Sequence, residues 1–271
     1  MVLTSLISQI FGKFASTKFP KFIQNIINQS YVSMMKVDMS EFQKPSSYES
    51  LNALFTRELV KKREFDEDKK SFISPSDSFI TSCGDMDKNQ ALQIKGFSYS
   101  VDDLLGVNID EQSKKRVESG KYINFYLSPK DYHRYHSPFD MRVKKAVHIP
   151  GKLYSVNLKW LNKIPNLFIE NERVVLECED EKGRLFFMVF VGALNVGKMN
   201  FVFDERIQTN SDKRDITYYE YSDVFLKKAQ ELGRFEMGST IVMFFEKDFV
   251  KLVAQEGKSI KFGDTIATCQ L

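Results

Sequence analysis

The 271 residues are enough for one large domain or two small ones, and a composition of 42% hydrophobic and 28% charged residues argues against intrinsic disorder. The formal net charge is +3, with neither an arginine run nor a basic stripe interleaved with aromatics, so a nucleic-acid partner is not indicated. The three cysteines are scattered and have no metal-binding spacing, which favours a reducing compartment.

The first 36 residues carry apolar side chains at helical spacing and predict one or two amphipathic helices, separated at Pro20. No positive charge precedes the apolar stretch and polar residues interrupt it, so a signal peptide is not indicated. No run approaches the ~20 apolar residues that cross a bilayer. Two interpretations stay open: a helix that lies on a membrane surface, or a helix that packs on its own domain.

Residues 37–70 are polar, with a helical segment at Tyr48–Phe55 and a charged stretch, Lys61–Lys70, that has the character of a solvated connector. A short helix is predicted at Ser98–Leu105. After Pro75, short β-branched or aromatic runs bounded by turn residues predict strands at Tyr122–Leu127, Val143–Ile149, Arg173–Glu177, Leu185–Val191 and Ile241–Phe245, and two glycine turns mark a final β segment at 257–268.

The predicted fold class is therefore α+β. A mostly β body, resembling a sandwich or barrel, carries an N-terminal amphipathic helical cap. The expected division is a helical, membrane-associating region at 1–70 and a β-rich catalytic domain at 71–271.

Two of the three histidines, His133 and His136, fall in one segment that runs from Tyr126 to Asp140. Histidine exchanges a proton near neutral pH, so acid–base chemistry is one interpretation. A metal site is a weaker one, because no third ligand follows by spacing, and two exposed loop histidines are the third. In a regular strand the two side chains would point to opposite faces, so both reach one site only if Arg134-Tyr135 turns.

Two further segments contain residues that could take part in a reaction. Gly238-Ser239-Thr240 places a serine after a glycine, whose carbonyl is sterically open and whose backbone tolerates strain. Ser74-Pro-Ser-Asp77-Ser78 places an acid on a turn. Each segment alone has an ordinary structural interpretation as a turn.

Together and in this order, the segments resemble the phosphatidylserine decarboxylase family over most of the chain. The matching stretches are Phe55-Thr-Arg57, Ser74-Pro-Ser-Asp77, Lys95-Gly-Phe-Ser-Tyr99, Leu104-Leu-Gly106, Leu127 to Pro138, Pro150-Gly-Lys-Leu153, Asn166-Leu-Phe168, Asn171-Glu-Arg173, Val191-Gly-Ala193, Val196-Gly197 and Gly233 to Thr240.

The resemblance implies that the proenzyme cuts itself between Gly238 and Ser239, giving a β chain of residues 1–238 and an α chain of residues 239–271. Ser239 attacks the Gly238 carbonyl to form an ester. Elimination leaves a dehydroalanine, which hydrolyses to a pyruvoyl group and ammonia. The implied cofactor is this covalent pyruvoyl group, and no metal is implied.

The resemblance also supplies roles for side chains. His136 accepts the Ser239 proton and Asp77 orients the His136 imidazole, as in a triad directed at the chain's own backbone. After maturation the pyruvoyl carbonyl withdraws electrons as CO2 leaves phosphatidylserine. His133 is then expected to deliver a proton to the same carbon.

The implied partners are phosphatidylserine and a membrane surface contacted by the N-terminal helices. The expected location is the cytoplasmic face of a bacterial inner membrane, as a peripheral homo-oligomer of paired α and β chains. Three positions depart from the family pattern: Ser78 and Met141 stand where glycine is usual, and Met237 precedes the cut-site glycine. Two alternatives are a pyruvoyl decarboxylase of a soluble amino acid and a membrane-binding β-sandwich relative that never matures.

Overall fold

The computed structural model describes residues 3–94, 96–194, 198–210, 215–236 and 239–270. Two helices fall within the first 36 residues and are separated at Pro20, as predicted, and a short helix at Leu51–Phe55 occupies part of the segment predicted at Tyr48–Phe55. The helices are α1 (Leu3–Ser16), α2 (Lys21–Met35), α3 (Leu51–Phe55), α4 (Val101–Leu105), α5 (Glu111–Val117), α6 (Leu158–Leu161) and α7 (Leu167–Glu170), and the 3-10 turn is Pro45–Ser47.

All five strands predicted by name are present. The strands are β1 (Ser71–Ile73), β2 (Ser78–Asp85), β3 (Gln90–Ile94), β4 (Phe97–Ser100), β5 (Lys121–Leu127), β6 (Arg134–His136), β7 (Met141–Ile149), β8 (Arg173–Glu179), β9 (Leu185–Val191), β10 (Lys198–Phe201), β11 (Thr217–Glu220), β12 (Phe225–Leu226), β13 (Glu231–Glu236), β14 (Ser239–Phe245), β15 (Val250–Leu252), β16 (Ser259–Ile260) and β17 (Thr265–Cys269).

One helix prediction is partly wrong. The helix expected at Ser98–Leu105 begins only at Val101, because the preceding residues form β4 in a hairpin with β3. Ser100 caps the helix by accepting the Asp103 amide. Residues 97–100 alternate between strand faces, and the buried Tyr99 holds this register by donating from its hydroxyl to Asn124.

The core of the fold is an open antiparallel sheet in the order β11-β7-β8-β9-β14-β5-β2-β16, with β12 on the edge beside β7. Strand β14 is central and pairs with β9 on one side and β5 on the other. All seven of its residues are buried, as expected for a strand covered on both faces. The described strands do not close into a barrel, so the sandwich form of the prediction is the correct one.

Two three-stranded sheets pack on one face of this large sheet. The sheet β10-β13-β6 places Tyr135 against Phe190, with ring centroids 4.5 Å apart. The sheet β1-β17-β15 places Phe72 edge-on to Phe186 and Phe245. Because Ser239 and Phe245 stand at odd positions of one strand, this is also the face that carries Ser239.

Helices and the β3-β4 hairpin cover the opposite face. Asn124 of β5 donates to the Leu92 carbonyl of β3 at 2.7 Å, and Tyr99 lies edge-on to Phe168 of α7. Arg173 at the start of β8 is buried and donates to carbonyls of α4 and α7, including Leu104 at 2.7 Å. This arginine therefore fixes both helices to the sheet.

The N-terminal helices pack beside the end of the sheet where β5 finishes. Tyr31 of α2 donates to the Pro129 carbonyl at 2.6 Å. Asn28 donates to the carbonyls of Pro45 and Tyr48, both at 2.9 Å. None of the described helices is long and apolar enough to cross a membrane. The expected boundary at residue 70, between a membrane-associating region and a catalytic domain, stays a prediction.

Candidate active site

The candidate catalytic residues come from segments that meet at one end of the large sheet. At that end β2 begins, β5 finishes and β14 begins, and Phe79, Tyr126 and Thr240 lie side by side across the three strands. Ser239 lies one position further toward the end, opposite Leu127. Asp77 directly precedes β2, and the segment that carries both histidines follows β5.

Ser239 is fully buried, and its Oγ has no hydrogen-bond partner among the described residues. Hydroxyl groups buried without a partner are uncommon, because each loses its bonds to water without replacement. Gly238 and Met237, on the other side of the predicted cut, lie outside the described residues. No described residue therefore holds the hydroxyl in a hydrogen bond that would compete with a chemical role.

His133 is also fully buried, and its tautomer follows from its contacts. Nδ1 lies 2.8 Å from the carbonyl oxygen of Asp131, and a carbonyl can only accept, so Nδ1 carries the proton. Arg57 donates to the same oxygen at 3.1 Å and to the Lys130 carbonyl at 2.8 Å, which fixes the turn. Nε2 therefore holds a lone pair, and no described group occupies it. Burial lowers the pKa of His133 to about 3.

His133 lies on the side of the chain that faces Ser239. Its carbonyl accepts the Phe235 amide at 2.9 Å, so the pairing of β6 with β13 extends to His133. Alternation along an extended chain puts His133 on the side of Tyr135, which packs against the sheet face that carries Ser239. The Ser239 hydroxyl and Nε2 of His133, which are two of several buried polar groups without a partner in the described part of the chain, thus belong to facing layers at the same end of the molecule.

His136 lies on the opposite side of β6. Its ring stacks on Phe262 with centroids 3.8 Å apart, and its Nδ1 lies 3.1 Å from the Ala229 carbonyl, so this nitrogen carries the proton. Nε2 accepts from the Tyr132 hydroxyl at 3.0 Å. Burial lowers the pKa of His136 to about 4. Arg134–His136 is a strand, so the turn required to bring both histidines to one face is absent.

Asp77 is held by an arginine. Its two oxygens accept from Arg63, with Nη2 to Oδ2 at 3.0 Å, and Oδ1 also accepts the Phe262 amide at 2.8 Å. Arg63 binds Glu41 as well, at 2.8 and 2.9 Å. The guanidinium keeps the pKa of Glu41 below its ordinary value.

Asp77 and His136 therefore belong to one cluster without a direct hydrogen bond between them. Phe262 joins them, because its amide donates to Asp77 and its ring stacks on His136. A second connection runs from Arg63, which lies 5.7 Å from the Tyr132 ring centre, to the Tyr132 hydroxyl on His136. The structure brings Asp77 to His136 and His133 to the Ser239 face, as two neighbouring groups.

Arg63 and Glu41 are site residues that the sequence analysis missed. Arg63 lies in Lys61–Lys70, which was predicted to be a solvated connector, but its side chain is only 10% exposed. The prediction is wrong at this residue because one arginine among many charges has no distinguishing pattern. A signal did exist for Arg57, which stands in the matched stretch Phe55-Thr-Arg57.

The substitution at Ser78 has a simple structural account. Ser78 begins β2, and neither it nor Met141 has the positive φ that would require glycine. The local backbone at Asp77 therefore tolerates a side chain at the next residue. Of the other matched stretches, Lys95, Val196 and Gly197 lie outside the described residues.

A cleft of about 650 Å³ opens beside this end of the sheet. Tyr126 and Ser128, the neighbours of Leu127 along the chain, line it, whereas the buried Ser239, which pairs with Leu127, is not among its lining residues. Its charged lining residues are of both signs: Lys36, Asp38, Glu41, Arg57, Asp77, Lys130, Asp131, Lys261 and Asp264. Burial raises the pKa of Asp131 above its ordinary value. Within the described ranges, no three His, Cys, Asp or Glu side chains form a metal-binding group.

Comparison with known proteins gives consistent matches over nearly the whole chain. A family model described as phosphatidylserine decarboxylase matches residues 51–268. A phosphatidylserine decarboxylase proenzyme of Campylobacter jejuni is 49% identical over 265 residues, covering 96% of this chain and 97% of the relative. Proteins with the same name from Helicobacter pylori and Idiomarina loihiensis are 47% and 38% identical, over 98% and 91% of this chain and 97% and 85% of their own lengths.

The buried histidines make stability depend on pH. Their folded-state pKa values of about 3 and about 4 lie below the ordinary 6.5, so the unfolded chain binds more protons and stability falls as pH drops below 6.5. Between pH 7 and pH 5 each histidine should remove about 2 kcal/mol from the unfolding free energy. Urea denaturation should show this loss reduced by about 2 kcal/mol in His133→Gln. An identical loss in the variant and the unchanged chain would contradict the buried neutral state.

Arg63 should be required for stability because it binds two carboxylates, Asp77 and Glu41, which would otherwise repel each other. Arg63→Met should lower the unfolding free energy by about 3 kcal/mol, since Asp77 and Glu41 lose their shared cation. Lys18→Met is the matched control, because the Lys18–Glu49 pair is mostly exposed, and it should cost less than about 1 kcal/mol. Urea denaturation measures both. Equal losses of unfolding free energy in the two variants would show that the Arg63 cluster stabilises the fold no more than an exposed ion pair does.

Proposed function

Because this chain belongs to the phosphatidylserine decarboxylase family, we propose that it is a self-processing, pyruvoyl-dependent enzyme that converts phosphatidylserine to phosphatidylethanolamine and CO2 at a membrane surface. The observation that carries the proposal is that two buried groups from facing layers lack a hydrogen-bond partner among the described residues. These are the Ser239 hydroxyl and Nε2 of His133, at the end of the sheet where the predicted cut lies.

Self-processing begins at Ser239. Its Oγ attacks the Gly238 carbonyl, the peptide C–N bond breaks, and residues 1–238 become attached as an ester. Elimination of that ester releases the Gly238 carboxylate and leaves a dehydroalanine at 239. Water converts the dehydroalanine to a pyruvoyl group and ammonia. A buried hydroxyl that no described residue hydrogen-bonds suits the first step, because no hydrogen bond to those residues has to be broken to free it.

We assign proton removal from Ser239 to His136, oriented by Asp77 through their shared cluster. Phe262 and Tyr132 hold the imidazole by stacking and by a hydrogen bond, and Asp77 anchors Phe262 through its amide. In the structure Tyr132 occupies Nε2 and the ring lies on the side of β6 away from Ser239, so this assignment requires that hydrogen bond to open and the imidazole to turn toward Ser239 in the uncut chain. Phe262 belongs to the α chain, and cleavage would therefore leave the cluster built from both products.

His133 has the geometry for proton transfer in the mature enzyme. The pyruvoyl group, once formed, supplies a carbonyl that withdraws electrons from the carbon losing CO2. Burial keeps His133 neutral, and Arg57 and Asp131 hold Nε2 as an acceptor. We propose that Nε2 takes a proton from the substrate ammonium and returns one to the carbon after CO2 leaves.

The cleft suits the headgroup of the proposed substrate. Phosphatidylserine presents an ammonium, a carboxylate and a phosphate within one small group. The cleft wall offers charges of both signs within one cavity, including Asp77, Asp131, Lys130 and Arg57. A volume of about 650 Å³ lies within the usual range for a small-molecule site.

Helix α2 supports docking on a membrane because it buries polar side chains and exposes apolar ones. The polar Gln24 and Asn28 are buried against the chain, whereas Phe22 and Ile26 are 72% and 54% exposed. Apolar side chains turned to solvent favour contact with lipid. We accordingly propose a peripheral enzyme on the cytoplasmic face of a bacterial inner membrane, acting as a homo-oligomer. The comparisons do not favour either the non-maturing module or the decarboxylase of a soluble amino acid.

Cleavage is tested by intact mass under denaturing conditions. The unchanged chain should give two fragments, one ending at Gly238 and one beginning with a pyruvoyl group at 239. Ser239→Ala should give one uncut chain, because the nucleophile is absent. Ser82→Ala is the matched control, as Ser82 is also a buried serine of the large sheet, and it should still cut. A single uncut species in the unchanged chain would rule out self-processing.

The two histidines should separate maturation from turnover. His136→Gln should stay uncut, because it loses the proposed base. His133→Gln should still cleave itself but should produce phosphatidylethanolamine about 10²- to 10⁴-fold more slowly, because general acid–base catalysis usually contributes a rate factor of that size. Intact mass and lipid product measure the two steps. His148→Gln should change neither, since this buried histidine pairs with Glu172 outside the site. An uncut His133→Gln together with a cut His136→Gln would exchange the roles.

A further inference from the structure

Helix α6 exposes apolar side chains on a rigid support. Leu158 and Trp160 are 41% and 42% exposed, whereas Leu161 of the same turn is fully buried. Gln93 donates to the carbonyls of Leu161 and Ile164 at 2.8 and 3.0 Å. The exposed pair is therefore held outward by a fixed turn, and no other described part of the chain covers it.

This turn forms one side of the cleft. Leu158 lines the cavity together with Asp77 and Ser128. Lys36, which ends α2, lines it as well, and the neighbouring Met34 is 73% exposed. Exposed apolar residues thus flank the opening of the cleft both at the end of α2 and at α6.

The charge around α6 is of one sign. Lys159 and Lys163 are the charged residues of the sequence between 153 and 169, whereas Lys152 before it pairs with Glu170 at 2.9 Å. Lys159 and Lys163 are exposed beside Trp160. Tryptophan favours the boundary between lipid and water, and lysines beside it attract anionic headgroups. An apolar pair within a basic segment complements an anionic bilayer better than it complements a neutral surface.

We propose that α6 is a second membrane contact, which together with α2 places the opening of the cleft on an anionic bilayer. The proposal rests on the proposed function for its substrate, but its lipid contact can be measured independently. With both sides of the opening on the lipid surface, a phosphoserine headgroup enters toward Asp77 and Ser128 while its acyl chains stay in the membrane.

The chain contains its own probe, because Trp160 is its only tryptophan. The full protein is mixed with vesicles of phosphatidylcholine and phosphatidylglycerol, neither of which is the proposed substrate. Trp160 emission should shift to shorter wavelength, and lipids brominated in the acyl chain should quench it. Vesicles of phosphatidylcholine alone should give a much smaller change.

A surface variant links the contact to turnover. Trp160→Ser, at an exposed residue outside the cleft lining, should weaken cosedimentation with the anionic vesicles and slow decarboxylation of vesicle-borne phosphatidylserine about tenfold, through weaker interfacial binding. Short-chain phosphatidylserine below its micelle concentration should react at the unchanged rate. Phe225→Ser is the matched control, since Phe225 is 66% exposed on β12, beside the far end of β7, and it should alter neither rate.

Three outcomes would overturn the contact: no binding to vesicles, binding without a change at Trp160, or a change that follows protein concentration without lipid. The last would show that a second copy of the chain covers α6. Failure of the unchanged protein on short-chain phosphatidylserine would instead count against the proposed function, whatever Trp160 does.

Discussion

The hydrogen bonds that strand β14 makes on both sides are the constraint on which the site depends. From Thr240 to Phe245 the strand pairs with both β9 and β5, and Ser239 pairs with Leu127. A central strand that is buried on both faces has little freedom to slide, because a shift of one residue would exchange its two faces. The pairing thereby fixes which hydroxyl stands at the sheet end and toward which layer it points. The cleft and the histidine segment are then placed by the neighbouring strands.

Two groups of buried charge and imidazole lie on opposite sides of β6, and their separation follows from strand alternation. On one side Arg57 and the Asp131 carbonyl fix His133 as an acceptor on the side of the chain that faces the layer of Ser239. On the other side Arg63 holds Asp77 and Glu41 beside the aromatic cluster of Tyr132, His136 and Phe262. Each arginine fixes geometry through hydrogen bonds to groups that would be costly to leave unpaired when buried. Two chemical steps can therefore draw on two separately supported histidines.

Much of this arrangement was predictable from the sequence, and the failures have physical causes. Apolar periodicity located the N-terminal helices and the long strands, since burial of one face or of both faces dictates those patterns. The helix at Ser98–Leu105 was half wrong because Tyr99 is held in a hairpin by Asn124, a tertiary contact that local propensity cannot reveal. Arg63 was missed because its partners are 22 and 14 residues away along the chain, and no spacing rule links them. The inverted polarity of α2 depends on which side the rest of the chain covers, and that is known only from the fold.

The distribution of the site along the chain has a consequence for the timing of maturation. Asp77, His133 and His136 are synthesised well before Ser239, which is followed by the short segment that supplies Phe262 beside His136. The site is incomplete until that last segment has paired through β17 with β1, a strand made near the beginning. Conversion of the proposed precursor would accordingly act as a folding checkpoint. A chain that misfolds anywhere along this path would remain in one piece and would lack the group needed for turnover, so the amount of cut protein would report the yield of correct folding.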